Sequence, residues 1–332
     1  MRLDPTRRRL LAGLGCGLAS SALPVHAAEA VTLTATDVHP SDYPTVEAVR
    51  WIGAQLQQAT DGRLSIRQYH SGQLGRESDQ INMARFGAID ITRVFSGALN
   101  NAFPRTIALC LPYLLRSKAH LRQVIDGAVG QRILDGFAAR GLVGLAIYDA
   151  GARSIYNTRG ALSHPTELKG MKLRVPPSDI FLDLMRALGA NPTPLPFGEV
   201  YSALETRLID GAENNLRSFH SSRQFEIAPY WSESGHSFAP DVLLVSQQRF
   251  ASLRPNEQEL LRDLGRRSVA VMREHWDAGE ARARAAVEAA GVRINAVDLD
   301  AFRQAAAPVL ARYRQHPEVA PLVDLIEAEA SA

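Results

Sequence analysis

The residue in this sequence best suited to binding an anion is Arg174, which lies in the run KGMKLRVPP at positions 169–177. Met171, Leu173 and Val175 alternate with polar residues, which predicts a short strand, and two prolines end it because proline cannot donate to a sheet ladder. Arg174 therefore lies near the carboxyl end of a strand, where open α/β sheets bind ligands. Its planar guanidinium matches a carboxylate with two parallel hydrogen bonds. A surface salt bridge is the alternative for a lone arginine.

Other polar residues occupy comparable positions, directly after predicted strands or turns. They are His39, Glu77 and Arg93 in the first half of the chain, and Arg153, Asn214 and Asn215 in the second. Each has a local alternative: a helix cap for His39, a first helical turn for Glu77 and a surface ion pair for Arg93. The two asparagines could simply form a turn.

The sequence contains none of the common catalytic motifs. It has no G-x-S-x-G elbow, no H-E-x-x-H, no C-x-x-C and no phosphate-binding G-x-x-x-x-G-K loop. Nine histidines are scattered, and none has metal-ligand spacing. We therefore expect no cofactor, no metal and no enzyme activity, although a catalytic triad can also assemble from residues far apart in the sequence.

The elements that would position these side chains follow an α/β order. Strand patterns at 31–35, 64–68 and 88–94 alternate with helical patterns, which predicts a parallel sheet with helices on both faces. A second cycle starts at Gly151, and we expect single helices over about 118–139 and 197–207. Apolar residues then recur at helical spacing from Leu260 to Ala290, a length that indicates a helix crossing two lobes. No Gly/Ser-rich linker separates the lobes, so we expect them to share strands.

Residues 1–27 have the pattern of a signal peptide. A basic stretch with Arg7, Arg8 and Arg9 precedes a weakly apolar, glycine-rich segment, and Val25-His26-Ala27 provides a small-residue cleavage site. The run TRRRLL is similar to a twin-arginine export signal, and general secretion is the alternative route. We expect a periplasmic protein that begins near residue 28.

Composition narrows the choice of partners for the exported chain. Of the 332 residues in the full sequence 46% are hydrophobic, its formal net charge is +2, and no basic tract follows the signal peptide, so nucleic acid is not an expected partner. Cleavage would leave Cys110 as the only cysteine, which its leucine neighbours predict to be a buried structural thiol. No later apolar run reaches the length of a membrane span.

Several motifs in order resemble the periplasmic solute-binding proteins of tripartite ATP-independent (TRAP) transporters, of the DctP type. The resemblance covers about residues 31–290. The motifs are GQLGRE at 72–77, LPYL at 111–114, LKGMKLRV at 168–175, PLPFGEVY at 194–201 and DGAEN at 210–214. Several motifs in the same order are a specific signal, whereas any one of them alone would be weak.

The resemblance implies a two-lobed α/β fold in which each lobe is a sheet flanked by helices, and a long C-terminal helix braces both lobes. The implied lobe I comprises residues 28–150 plus about 241–332, and lobe II comprises residues 151–240. A ligand would be enclosed as the lobes close, and the protein would act as a monomer that serves the integral-membrane subunits of a TRAP transporter.

The same resemblance implies roles for the candidate residues. Arg174 would bind the ligand carboxylate, and Asn214 would help to hold it. The GARS run at 151–154 and the asparagine pair look like the branch that takes sugar acids, hexuronates especially, with Arg153 as a second cationic contact. The candidates for the ligand hydroxyl groups would be His39, Glu77, Arg93 and Asn215.

The sequence departs from that branch at Leu216-Arg217, where a proline is common soon after the asparagine pair. Arg217 could therefore reshape the pocket. The alternatives are a secreted enzyme that acts on acidic sugars and a binding protein for C4-dicarboxylates or other organic acids.

Overall fold

The computed structural model describes residues 29–329, so the predicted signal peptide lies outside the described residues. The strands are β1 Val31–Thr36, β2 Leu64–Tyr69, β3 Ile91–Phe95, β4 Leu142–Tyr148, β5 Arg153–Asn157, β6 Lys172–Val175, β7 Asn191–Pro194, β8 Gly211–Asn215, β9 Tyr230–Ser237, β10 Asp241–Ser246 and β11 Arg293–Ala296. The helices are α1 Pro44–Ala59, α2 Glu77–Arg85, α3 Ser96–Leu99, α4 Lys118–Asp126, α5 Ala128–Asp135, α6 Asp179–Ala187, α7 Val200–Glu205, α8 Leu216–Ser221, α9 Gln247–Ser252, α10 Pro255–Ala289, α11 Leu299–Tyr313 and α12 Ala320–Glu329.

The first sheet has the strand order β2-β1-β3-β10-β4, and we call this sheet with its helices lobe I. β1 buries Leu33 and Ala35 on one face, where they pack with Val46 and Ile52 of α1. β2, β1 and β3 are parallel as the sequence predicts, whereas β10 runs antiparallel to both β3 and β4. The parallel pairing predicted for the first three strands is therefore confirmed, and β10, which enters this sheet from the other lobe, adds the antiparallel pairings.

The second sheet has the order β11-β9-β5-β8-β6-β7 and defines lobe II. β6 pairs in parallel with β7 and β8, and β5 pairs antiparallel with β8 and β9. β7 contains Pro192 and Pro194 and forms the sheet edge, where a missing N–H group breaks no ladder.

The chain passes between the sheets through residues 149–152 and 238–240. α10 is a single helix of 35 residues that packs against α1 and β4 of lobe I and against α8 of lobe II. It braces both lobes, as expected. β11 and α11 lie within the stretch that the sequence assigns to lobe I, yet β11 pairs with β9 and α11 packs against α6, both in lobe II.

Two local predictions differ from the structure. The helix expected over 118–139 is two helices, because Gly127 has an extended backbone that ends α4 and begins α5. The predicted helix over 197–207 begins as a 3-10 turn, Phe197–Glu199, before α7. Among the described residues, no helix has both the length and the apolar character needed to cross a membrane.

Candidate functional site

The candidate site is a cavity between the two lobes, and the space inside it, including the part open to solvent, is about 400 Å³. All seven residues singled out from the sequence line it: His39, Glu77, Arg93, Arg153, Arg174, Asn214 and Asn215. The structure thus brings together residues that are as much as 176 positions apart, because the strand ends of both lobes face the same cleft.

Arg174 lies one residue before the end of β6 and is only 3% exposed. Its Nε donates to the carbonyl oxygen of Leu195 at 2.8 Å. Among residues 29–329 no carboxylate lies within salt-bridge distance of its guanidinium, and burial lowers the pKa of Arg174. The surface salt bridge considered for this residue is therefore absent, and Arg174 is a buried cation facing the cavity without a counter-ion from the described chain.

Arg153 begins β5 and has a bidentate ion pair with Glu213, with Nε–Oε2 and Nη2–Oε1 distances of 2.6 and 2.8 Å. His236 Nε2 lies 3.1 Å from the same carboxylate. Burial alone would raise the pKa of Glu213, but the Arg153 charge and the hydrogen bonds from both partners lower it to about 2. Because Glu213 balances its charge, Arg153 lines the cavity as a neutralised donor, and among the residues between 29 and 329 that line this side Arg174 carries the unbalanced charge.

Arg93, unlike Arg174, is surrounded by carboxylates, and three of them contact its guanidinium. Asp37 contacts Nε and Nη2 at 3.0 and 2.5 Å, Asp241 contacts Nη1 at 3.1 Å and Glu77 contacts Nη1 at 3.5 Å. Arg93 is 1% exposed, so the surface pair considered from the sequence is not found. The lobe I side of the cavity therefore has carboxylates in excess.

Glu77 combines a local role with a place in the cavity. It is the first residue of α2, and its Oε1 accepts a hydrogen bond from the backbone N–H of Phe95 at 2.9 Å. The first-turn position considered for Glu77 is thus correct. Its side chain nevertheless lines the cavity beside Arg93.

His39 does not cap the following helix, whose N-cap residue is Tyr43. Its ring instead stacks on the Tyr43 ring, with centroids 3.7 Å apart and an interplanar angle of 8°. Burial, together with the charges of Arg93 and Arg153, lowers the pKa of His39 well below its usual range. A neutral imidazole with its Nδ1 buried and without a partner therefore lies at the cavity wall.

The two asparagines occupy the end of β8. Asn214 Oδ1 accepts from Arg153 Nη1 at 3.0 Å and from the Asn215 backbone N–H at 2.8 Å. Asn215 Oδ1 accepts from the Ser218 backbone N–H at 2.8 Å and caps α8. Since both carbonyl oxygens are engaged, the side-chain NH₂ groups are the donors left for a bound molecule.

Arg217 does not line the cavity, although the sequence made it a candidate for reshaping the pocket. Its guanidinium carbon lies 5.9 Å from the centroids of the Tyr43 and Trp276 rings. The side chain fits beside Gly279 of α10, where any Cβ would overlap it. Arg217 therefore acts behind the cavity wall, where α8 of lobe II meets α10.

Sequence reasoning missed four ionisable residues at the site: Asp37, Glu213, His236 and Asp241. Asp37 directly follows β1 and Glu213 precedes the asparagine pair, so the strand-end argument could have found both. Asp241 starts β10, and His236 lies in β9. Several of the buried side chains of β9 are polar, so this strand lacks the usual apolar alternation. Nothing in the apolar pattern marks those two.

A second cavity of about 900 Å³ adjoins the first, and Arg174, Glu77 and Phe197 line both. Arg76 Nη2 of lobe I lies 2.8 Å from Glu199 Oε1 of lobe II at this outer cavity. Both side chains are substantially exposed, so this ion pair joins the lobes at the rim of the cleft and not inside it.

A two-lobed α/β fold with a polar, buried cavity between the lobes and a brace along both defines a solute-binding protein. Residues 35–316 match the family model described as bacterial extracellular solute-binding protein, family 7, or DctP. The chain belongs to this family, which comprises TRAP solute-binding proteins. The resemblance and the periplasmic location predicted from the sequence are thereby confirmed.

Solved structures of TRAP periplasmic solute-binding proteins are similar over almost their full length. One from a Bradyrhizobium species, in complex with α/β-D-galacturonate, has 44% identity and a TM-score of 0.88, covering 90% of this chain and 100% of that chain. One from Xanthobacter autotrophicus, with β-D-galacturonate, has 43% identity, a TM-score of 0.87 and coverage of 89% and 99%. One from Roseobacter denitrificans, with β-D-glucuronate, has 35% identity, a TM-score of 0.87 and coverage of 90% and 99%.

Proposed function

We propose that this protein captures a sugar acid with one carboxylate, with a hexuronate such as galacturonate or glucuronate as the first choice, for delivery to the membrane subunits of a TRAP transporter. The observation that carries the proposal is Arg174, a guanidinium that is 3% exposed and has no carboxylate partner among the described residues. A buried charge is very costly unless it is paired, and a ligand carboxylate would pair it. The three similar structures with bound hexuronates support this choice.

The contacts of the other residues suggest how the rest of a uronate would be held. The side-chain NH₂ groups of Asn214 and Asn215 and the remaining N–H of Arg153 Nη1 are donors for the carboxylate and for ring oxygens. Glu77 accepts from hydroxyl groups, and the neutral ring of His39 can either donate or accept. Arg93, which is saturated by three carboxylates, positions Glu77 and Asp241 and adds little charge of its own.

The free energy that ligand binding requires shows why many contacts are needed. Micromolar capture requires about 8 kcal/mol, whereas a hydrogen bond to a charged group contributes roughly 1.5–3 kcal/mol. The Arg174–carboxylate pair therefore supplies only part of the affinity. Hydroxyl contacts from both lobes and exclusion of water on closure must supply the remainder.

We also propose that the protein does not catalyse a reaction and that it is a monomer. Its lobes would comprise residues 28–150 plus 241–292 and α12 on one side, and residues 151–240 with β11 and α11 on the other, following the sheet pairings. Incubation with galacturonate and analysis of the recovered sugar checks the first point, since a binding protein returns its ligand unchanged.

A thermal-shift screen tests the ligand class directly. Galacturonate, glucuronate, succinate and galactose would each be added to the wild type and to Arg174→Ala. A ligand at 100 times its Kd raises the free energy of unfolding by about 2.7 kcal/mol if it binds only the folded state. We expect the uronates to raise Tm in the wild type alone. An equal shift with galactose or succinate would refute the proposal.

A further inference from the structure

The two walls of the cavity carry opposite charge. On the lobe I wall a single guanidinium, Arg93, contacts three carboxylates within 3.5 Å. On the lobe II wall Arg153 is balanced by Glu213, and Arg174 adds an unpaired guanidinium. A molecule between the walls therefore meets an excess of positive charge on one side and of negative charge on the other.

Asp241 is the acidic residue least involved in other contacts on the lobe I wall. Its Oδ1 contacts Arg93 Nη1 at 3.1 Å, and its Oδ2 has no hydrogen-bond partner among the described residues, although Asp241 lines the cavity. Asp37, by contrast, is held by Arg93, by the Thr45 hydroxyl and by the backbone N–H of His39. Asp241 is thus free to interact with a bound molecule.

The groups that face Asp241 come from every neighbouring element. Arg93 comes from β3, Asp37 from the end of β1, Glu77 from α2 and Arg153 from β5, and the Tyr43 phenol lies within electrostatic range. Burial raises the pKa of Asp241 to about 7, Arg93 opposes that rise, and the Asp37 and Glu77 carboxylates reinforce it. Its carboxyl therefore changes charge near neutral pH.

We propose that Asp241, together with Glu77, makes the site selective for sugar acids with one carboxylate by repelling a second carboxylate at the opposite end of the ligand. This inference rests on the proposed function, in which Arg174 takes the first carboxylate. A hydroxyl group that reaches the lobe I wall donates to Glu77 or Asp241. A carboxylate in the same place has nothing to donate and meets two like charges, which suppresses binding of the wrong partner.

The excluded class is the aldarates, which are sugar acids oxidised at both ends. Galactarate differs from galacturonate by one such oxidation, which also prevents ring closure, so the change in its relative affinity between variants and between pH values is the readout. We expect the wild type at pH 8 to bind galactarate at least about 100-fold more weakly than galacturonate, since like-charge juxtaposition is costly. The ratio should shrink at pH 6, where Asp241 is protonated.

Calorimetry on Asp241→Asn separates charge repulsion from a merely structural role. Asparagine keeps the shape and removes the charge, so the preference for galacturonate over galactarate should fall by about tenfold or more, and the dependence of the ratio on pH should disappear. Asp90→Asn is the matched control. Asp90 is a lobe I acid as buried as Asp241 and paired with Arg249, but it lies outside the cavity, so the ratio should not change.

The possible outcomes distinguish a failure of this inference from a failure of the proposed function. If the wild type binds galactarate as tightly as galacturonate, or if Asp241→Asn weakens both equally, the inference is wrong while the proposed function stands. If folded wild type binds no uronate at all, the proposed function fails and the inference fails with it. If Asp241→Asn does not fold, Glu77→Gln and the pH dependence of the wild-type ratio give the same test.

Discussion

The hydroxyl of Tyr43 in lobe I lies 2.9 Å from the hydroxyl of Ser218 in lobe II, and this buried hydrogen bond joins the lobes beside the cavity. The Tyr43 ring also stacks on His39, which lines the cavity. A single residue therefore supports both the cavity wall and the contact between the lobes. Its removal should affect the closed arrangement more than the stability of either lobe.

Tyr43→Phe should weaken uronate binding about fivefold, because a buried hydrogen bond contributes about 1 kcal/mol. Tyr148→Phe is the control. Tyr148 has a similar buried bond to Ser268, at 2.8 Å, but within the lobe I core. The Tyr148→Phe change should lower the free energy of unfolding and leave the affinity for uronate within about twofold of the wild-type value. Equal effects of both variants on affinity, measured by calorimetry, would contradict a cross-lobe role.

Arg174→Ala should lose a large part of the affinity for galacturonate, about 30-fold or more, because the buried ligand carboxylate would keep only Arg153, whose charge Glu213 already balances. Arg174→Lys should lose less yet remain well below the wild type, since an ammonium cannot reproduce the bidentate fork. Arg76→Ala removes an arginine that is 61% exposed at the rim and should change affinity by less than about threefold. Calorimetry on the three variants gives the comparison, and wild-type affinity in Arg174→Ala would refute the assignment.

Ligand should shift the protein toward a more compact form, because the proposed contacts to both lobes exist together only when the cleft is closed. Small-angle scattering with and without galacturonate should show a smaller radius of gyration at saturation. Galactose at the same concentration is the control and should leave it unchanged. A constant radius with saturating uronate would indicate a site within one lobe.

Acid should destabilise the protein through Glu213. Its pKa is about 2 in the folded state, below the usual 4.5, so the unfolded chain takes up the proton first. This contribution is complete above about pH 4.5 and is lost as the pH falls toward 2. Urea unfolding from pH 7 to pH 3 should show a smaller loss in Glu213→Gln than in the wild type. An unchanged slope would rule out the buried pair with Arg153 as its source.

Gly279 and Arg217 should be energetically coupled, since a side chain at 279 would overlap the Arg217 guanidinium. In an Arg217→Ala background, Gly279→Ala should stabilise α10 by up to about 1 kcal/mol through helix propensity. In the wild type the same change must displace Arg217 from Tyr43 and Trp276, so the gain should vanish or reverse. A double-mutant cycle by urea unfolding measures this, and simple additivity would argue against the contact.

The sequence predicts more of the candidate site than of the sheet topology. Six of the seven candidate residues lie within three residues of a strand end and Glu77 starts a helix, and the strand-end argument needs only local patterns to find them. Asp241 and its place beside Arg93 depend on a pairing between β3 and β10, which lie 148 residues apart at these positions and leave no local trace.

The sequence pattern does not predict β9 or β11, and the physical reason differs between them. β9 has the sequence YWSESGHS and buries Ser232, Ser234 and His236, so the apolar alternation that predicts a strand is absent. β11 has four residues, none of them fully buried, at a sheet edge.

Gly127 divides a helical pattern in two because its backbone is extended, and periodicity alone cannot show that.

The strand order of lobe I has a consequence for how the chain is made. β10 lies between β3 and β4, yet the ribosome reaches it about 90 residues after it has completed β4, a delay of roughly 5–20 s at ordinary rates of synthesis. Until then β3 and β4 have no central partner and leave open edges, which are prone to pairing with other chains. A nascent chain that ends before residue 241 therefore cannot complete the sheet of lobe I.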